Sequence, residues 1–389
     1  VDFDIAIVGG GLAGAGLASA LAASGKRLAL LERKAPTTPS DLWDSRVYTL
    51  TPASIAFLER VGAWQGVPRE RVTPIEEMRV FGDDAASQLR FSAYDAGLLE
   101  LGATSESGRV HHALWRLLER QRNLSLFCPA APLRVLRAEG HVEIGLEDGS
   151  TIGAKLVVGA DGGDSWVRQA AGIYARAESY EQLGVVANFE CALAHRGVAY
   201  QWFLADGVLA LLPLPERCVS IVWSTSHTHA RELLGLTPVA LGARVRDASR
   251  GVLGELRQIT PPAAFPLSRM TVDRVARERV ALIGDSAHVV HPLAGQGINL
   301  GLGDAHCLAD LIADAPDPGD PALLRRFERS RAEDTLALHW VTHGLFRLFG
   351  AKHAMIRRIR NFGLNLTDSN PVIKNLLARR ASSVGGGLD

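Results

Sequence analysis

The sequence predicts an α/β fold. A nucleotide-binding lobe on a parallel sheet is interleaved along the chain with an antiparallel β lobe, and C-terminal helices follow. Three observations predict it. The chain opens with a strand, a glycine-rich turn, a helix and a second strand. Two later segments each run an apolar strand into a Gly-Asp turn. The stretches between them alternate apolar and polar positions.

The first unit starts with the apolar run Ile5 to Val8 and enters Gly9-Gly10-Gly11-Leu12-Ala13-Gly14, which reads GxGxxG on Gly9, Gly11 and Gly14. An Ala- and Leu-rich helix is expected to about Ser24, with Gly25 as its stop. Arg27 to Leu31 is the next strand, with Glu32 at its end and Arg33 beside it. Gly9 permits the tight turn, Gly11 lets the backbone approach a pyrophosphate, and Gly14 lets helix and strand pack closely. The helix N-terminus offers free N–H groups and a positive dipole end to the phosphates. Glu32 can accept hydrogen bonds from an adenosine ribose, and its charge disfavours a 2′-phosphate. This Rossmann-type unit predicts a dinucleotide and leaves FAD and NAD open.

Two later segments favour FAD. Leu156-Val157-Val158-Gly159-Ala160-Asp161-Gly162 and Val280-Ala281-Leu282-Ile283-Gly284-Asp285 both end a strand in Gly and Asp, at the sheet edge where ligands of α/β folds collect. Asp285 is the candidate partner of a ribitol hydroxyl. Pro292 and Gly295-Gln296-Gly297-Ile298-Asn299 follow and open a helix. Its N-terminus would stabilise the negative charge of a reduced flavin near N1 and the C2 carbonyl. NAD has neither ribitol nor that anion.

In this division residues 1–75, 101–178 and 270–330 form the discontinuous FAD-binding domain. Residues 76–100 and 179–269 form the antiparallel substrate domain, and 331–389 form a helical region with a disordered tail. Runs such as Gly184-Val185-Val186-Ala187-Asn188-Phe189-Glu190 carry the strand signal, and Pro261, Pro262 and Pro266 punctuate the return to the first lobe.

The chain has 389 residues, 47% hydrophobic and 22% charged, as in ordinary globular proteins. Its 42 basic and 42 acidic residues give no global case for a nucleic-acid partner. Cys128, Cys191, Cys218 and Cys307 are widely spaced with no CxxC, which argues against a disulfide framework and suits a reducing compartment. Asp2 and Asp4 stand where a signal peptide needs positive charge, and no apolar run reaches the roughly 18 residues of a membrane span. A cytoplasmic protein is expected, either free or peripheral on the inner face of the membrane.

The segments GGGLAG, LVVGADGGDSWVR and VALIGDSAHVVHPLAGQGINLGLGD resemble the three signatures of the single-component FAD-dependent aromatic hydroxylases. Within that family the resemblance is to the ubiquinone-biosynthesis hydroxylases. Asp44 to Leu50 looks like their DxRxxxL stretch, Leu211 to Pro215 and Ser220 to Ser224 like their LPLP and VVW strands, and Phe327 to Phe349 like their C-terminal helix. One departure is visible: an Asn-Arg pair is usual before a mid-chain helix, and here Glu106-Ser107-Gly108-Arg109-Val110 matches only at Arg109.

The resemblance implies a Rossmann-type FAD-binding domain and an antiparallel β-sheet substrate domain. It also implies a reaction. NAD(P)H or another donor reduces FAD, O2 adds at C4a, and the hydroperoxide passes its distal oxygen to an electron-rich ring. It marks Arg46 and Arg109 as cofactor contacts, beside Gly9, Gly11, Gly14, Glu32, Arg33, Asp161, Asp285, Ile298 and Asn299. Pro292, Gly295, Gln296 and Gly297 are placed against the reacting ring.

No metal site is expected. His288 and His291 lack a third ligand, and His339 and His343 lack the Glu of HExxH. From residue 340 onward eight Lys or Arg face two Asp, and Gly344 to Arg360 is basic and amphipathic. Such a segment suits a membrane surface or a biosynthetic-complex partner, and equally a helix packed on the FAD lobe. The first reading is therefore hydroxylation of a prenylphenol in ubiquinone biosynthesis. A soluble aromatic substrate and a flavin-binding accessory subunit are the alternatives, and homo-oligomerisation is left open.

Overall fold

The structure is a computed structural model that describes residues 1–82, 87–290, 297–333, 374–375 and 377–379. Among these residues the strands form three sheets. The first is centred on Phe3–Val8, with Leu28–Leu31 and then Leu124–Phe127 parallel on one side, and Thr151–Gly159 and then Val280–Leu282 parallel on the other. Antiparallel Pro132–Ala138, His141–Leu146 and Ala276–Arg277 extend its edges.

The central strands are apolar on both faces because both faces are covered. Ile5, Ile7, Leu28, Leu30, Leu156 and Val158 pack beneath the helices Leu12–Ala20, Pro52–Arg60, Ser107–Leu118 and Gly297–Ile312. Ala6, Val8, Ala29, Leu31 and Val157 pack on the opposite side against Val142, Ile144 and Val167. The first helix ends at Ala20, short of the expected Ser24. After it the Ser24 hydroxyl donates to the Leu21 carbonyl at 2.7 Å within a following turn, before Gly25 takes up φ 69°.

The second sheet holds nine strands among the described residues, nearly all antiparallel. Its order is His288–Val289, Ala263–Val272, Ala175–Cys191, Cys218–Ser226, Gly207–Leu214, Val198–Leu204, Glu77–Phe81, Gln88–Ser92, with Leu256–Gln258 beside Ala175–Cys191. Pro266 lies inside one strand, opposite Leu183, where the sequence suggested punctuation. Val185, Ala187, Phe189, Leu209, Leu211, Ile221 and Trp223 bury one face against the helices His227–Leu234 and Pro238–Ala248. The other face turns to the first lobe. There the Asn188 amide donates to the Asp44 carbonyl at 2.8 Å and the Thr104 hydroxyl donates to the Pro213 carbonyl.

A small antiparallel sheet of Val47–Leu50, Gly102–Glu106 and Val72–Ile75 lies between the two lobes. No described helix is long and apolar enough to cross a membrane. All four cysteines are free.

Candidate active site

A cavity of about 310 Å³ opens at the carboxyl ends of the parallel strands. Gly11 to Ala13 line it after the first strand, Ala160 and Gly162 after Thr151–Gly159, and Ile283 to Asp285 after Val280–Leu282. Three helix N-termini converge there. They are Gly11 to Ala13 of the first helix, Ser107 and Gly108 of Ser107–Leu118, and Gly297 and Ile298 of Gly297–Ile312. Each presents N–H groups with no intrahelical partner, so the cavity is electropositive before any side chain is counted. Arg46 and Tyr48 close another wall.

The glycines divide by role. A Cβ on Gly9 would meet the Ala160 oxygen at 2.3 Å, and one on Gly14 would meet the Gly9 oxygen at 2.0 Å. A Cβ on Gly11 would meet nothing within 4 Å and would stand in the cavity mouth. The first two hold the loop against its neighbours, and the third keeps a cradle open for a ligand.

Asp285 is the acid of this cavity. Its carboxylate is open to the cleft water, yet protein walls crowd it, and that desolvation raises its pKa against the pull of His288 and Arg46. Tyr48 was missed by sequence reasoning. Burial raises its phenol, with the Arg46 charge pulling the other way and the Asp285 carboxylate adding to the rise. His111 was also missed; its Nε2 lies 2.7 Å from the Gly10 carbonyl. The i, i+4 pair His111 and Trp115 was the available signal, since a Cβ on Gly10 would lie 2.8 Å from the Trp115 ring.

Other sequence candidates stand in supporting positions. Glu32 accepts from the Gly10 N–H at 2.6 Å and from the Lys34 N–H at 3.0 Å, which fixes its carboxylate under the glycine loop. Arg33 is exposed and does not line the cavity. Asp161 accepts from the Ser165 hydroxyl at 2.5 Å and the Val167 N–H at 3.0 Å, so it braces the helix Trp166–Ala170 while its neighbours line the cavity. Arg109 donates to Glu106 at 2.7 Å and to the Ser40 carbonyl at 2.7 Å, and faces an adjoining cavity of about 190 Å³. Glu106, buried and paired also with Arg71, was missed, although its i, i+3 spacing to Arg109 was a local signal. Asn299, fully buried, donates to the Thr49 carbonyl and accepts from the Thr51 N–H, both at 2.9 Å. Gly297 and Ile298 line the cavity; Pro292, Gly295 and Gln296 lie outside the described residues, as does His291.

The residues present suit FAD. A pyrophosphate is matched by the open cradle at Gly11, a polyol by the carboxylate of Asp285, and an electron-rich ring by the N-terminus of Gly297–Ile312. Comparison with known proteins agrees. Residues 2–338 match the family model for the FAD binding domain. The ubiquinone hydroxylase UbiL of Rhodospirillum rubrum is 33% identical over 383 residues, 97% of this chain and 89% of that protein. The 3-demethoxyubiquinol 3-hydroxylase of Escherichia coli K12 is 32% identical over 379 residues, 95% and 96% of the two chains. The chain belongs to the ubiquinone-biosynthesis hydroxylase family of FAD-dependent monooxygenases. The mitochondrial ubiquinone biosynthesis monooxygenase COQ6 of Homo sapiens is 33% identical, over 98% of this enzyme and 92% of that one.

Solved structures share the fold. The p-nitrophenol 4-monooxygenase PnpA of Pseudomonas putida superposes with a TM-score of 0.80 at 17% identity, covering 98% of both chains. PqsL of Pseudomonas aeruginosa does so with 0.76 at 24%, covering 94% of this chain and all of that one. The enzyme is thus a flavoprotein hydroxylase that uses FAD, O2 and a reductant.

Proposed function

We propose that this enzyme hydroxylates the ring of a prenylated phenol on the route to ubiquinone. The observation that carries the reading is the face of the antiparallel sheet turned to the first lobe. Period-2 alternation and cross-strand register place Gly184, Val186 and Asn188, Val208, Ala210 and Leu212, and Ser220, Val222 and Ser224 on that face. None of these nine positions carries a charge. A carboxylated soluble phenol would need a cation there, because a buried unpaired carboxylate is costly. Arg196 and Arg217, at turns of this lobe, are exposed, and Arg217 donates to the Ala192 carbonyl at 3.3 Å. An apolar prenylphenol needs no such partner.

Bound and reduced, FAD supplies the activation of O2, one atom of which enters the ring while the other leaves as water. The chain's own groups would bind and orient. The Gly11 cradle and its helix N-terminus take the pyrophosphate, Asp285 takes a ribitol hydroxyl with Arg46 beside it, and the N-terminal turn of Gly297–Ile312 stabilises negative charge on the reduced ring. Glu32 serves the adenosine end from beneath the glycine loop, and Asp161 and Arg109 act by bracing the walls. A peripheral place on the inner face of the membrane would suit a substrate dissolved in the bilayer. The basic segment Gly344 to Arg360, read above as suiting a membrane surface, a protein partner or the FAD lobe, lies outside the described residues.

The test is turnover of purified FAD-loaded enzyme with either NADH or NADPH. A polyprenylphenol in nanodiscs is compared with a soluble hydroxybenzoate. Reductant-dependent incorporation of labelled oxygen into the prenylphenol supports the proposal. Incorporation into the soluble acid alone overturns it. In cells, pathway flux that survives a Gly11→Asp variant unable to hold FAD would make the protein an accessory subunit.

A further inference from the structure

The helix Gly297–Ile312 carries a carboxylate that the reading above does not use. Asp304 lies three residues beyond Gly301 and seven beyond Gly297, on the stripe of the helix that lines the cavity. It is 1% exposed. One oxygen, Oδ2, accepts from the Gly284 N–H at 2.9 Å and from His288 Nε2 at 2.6 Å. The other, Oδ1, accepts from Arg331 Nε at 2.8 Å. His288 and Arg331 are 3% and 4% exposed. A carboxylate accepts only, so the hydrogen sits on Nε2 of His288, and its Nδ1 has no partner among the described residues.

Three pieces of chain from different parts of the sequence meet at this side chain. Gly284 is a left-handed residue, φ 63°, immediately before Asp285. A Cβ there would sit 3.2 Å from the Ala13 Cβ, and one on Gly301 would sit 3.1 Å from the Gly284 Cα. The turn is thus wedged between the first helix and Gly297–Ile312, and Asp304 fixes its amide. Arg331 belongs to the helix over residues 321–333 and donates also to the Leu300 carbonyl at 3.4 Å. Packing alone would hold the helices together with leucines. A buried ion pair costs desolvation and is poor evidence for stability; its use is to specify one arrangement.

We propose that Asp304 is a positioning residue of the FAD site. It ties the turn that presents Asp285 to the helix whose N-terminus faces the flavin, and Arg331 locks that helix to the one behind it. The inference rests on FAD binding and not on the identity of the substrate. Asp304→Asn keeps the size of the side chain and loses its charge. His288→Gln keeps a donor near the position of Nε2, and His288→Leu removes it.

The experiment titrates each folded apoprotein with FAD by fluorescence, then records the absorption spectrum and midpoint potential of the saturated flavin. Asp304→Asn is expected to weaken FAD binding about tenfold or more, the scale of outer-layer hydrogen bonds at metal sites. It is also expected to shift spectrum and potential at saturation. His288→Leu should do the same, and His288→Gln should restore most of both. A purely structural role would lower the melting temperature and leave the saturated flavin's spectrum and potential at wild-type values, which would overturn the proposal. If Asp304→Asn does not fold, the contrast between His288→Gln and His288→Leu decides. Equal binding and equal potential in those two overturn it as well. Failure to turn over a prenylphenol with intact flavin parameters would count against the substrate reading and leave this one standing.

Discussion

Gly11 and Gly14 are three residues apart and look alike in the sequence, yet their surroundings differ. Gly14→Ala drives a Cβ to 2.0 Å from the Gly9 oxygen, where backbone must move. It is expected to cost the apoprotein about 2 kcal/mol or more in a urea titration. Gly11→Ala meets open space and should leave apoprotein stability within about 0.5 kcal/mol of wild type. Its effect belongs to FAD affinity, read by flavin fluorescence, which should fall about tenfold or more.

Asp285 makes a second prediction with a sign. Desolvation holds its carboxyl above the ordinary value in the folded chain, with His288 and Arg46 pulling the other way. A carboxyl raised on folding binds its proton more tightly in the native state. Ionising it therefore costs the fold stability as pH climbs above about 4, its unfolded value. Asp285→Asn removes that cost. The variant apoprotein should melt higher than wild type at pH 7, and the two curves should converge below about pH 4. FAD affinity should fall in the same variant, the exchange of stability for function common at binding sites.

Among the elements, Gly297–Ile312 has most to do. Its first turn lines the cavity, its fully buried Asn299 staples it to the strand Val47–Leu50 and the cap residue Thr51, and Asp304 holds the Gly284 turn. Asn299→Ala strands the Thr51 N–H and the Thr49 carbonyl away from water. A loss of about 2–6 kcal/mol in unfolding free energy, read by urea titration, is expected, from roughly 1–3 kcal/mol for each buried group left unpaired. The strand-turn-helix unit, the two Gly-Asp turns and the alternating strands were legible because each is written in neighbouring residues. Tyr48, His111, Glu106 and Asp304 were not. The partners that give His111 and Asp304 their meaning, Gly10 and Gly284, lie 101 and 20 residues away. Asn299 was legible as part of a motif, but its hydrogen bonds to 49 and 51 depend on a crossing between lobes that periodicity does not encode. The first helix was read too long because the chain leaves it through i, i+3 turns, Ala22 to Ser19 and Ser24 to Leu21, which the Ala- and Leu-rich sequence does not mark.

At the scale of the molecule, one cavity lies at the carboxyl ends of the parallel sheet, and the antiparallel sheet turns one face toward that lobe. Three helix N-termini converge on the cavity and favour negative charge, and the antiparallel sheet presents a run of uncharged positions from Gly184 to Asn188 and their cross-strand partners. That division suits a polyanionic cofactor on one side and an apolar ring on the other. The family places the enzyme among hydroxylases of quinone synthesis. The most direct measurement is mass spectrometry of quinones and prenylphenols in aerobic cells lacking this gene, complemented with wild type or with Gly11→Asp. The account predicts less ubiquinone and an accumulated prenylphenol short of one hydroxyl, restored by wild type and not by Gly11→Asp. An unchanged lipid profile, with no second hydroxylase covering the step, would contradict it.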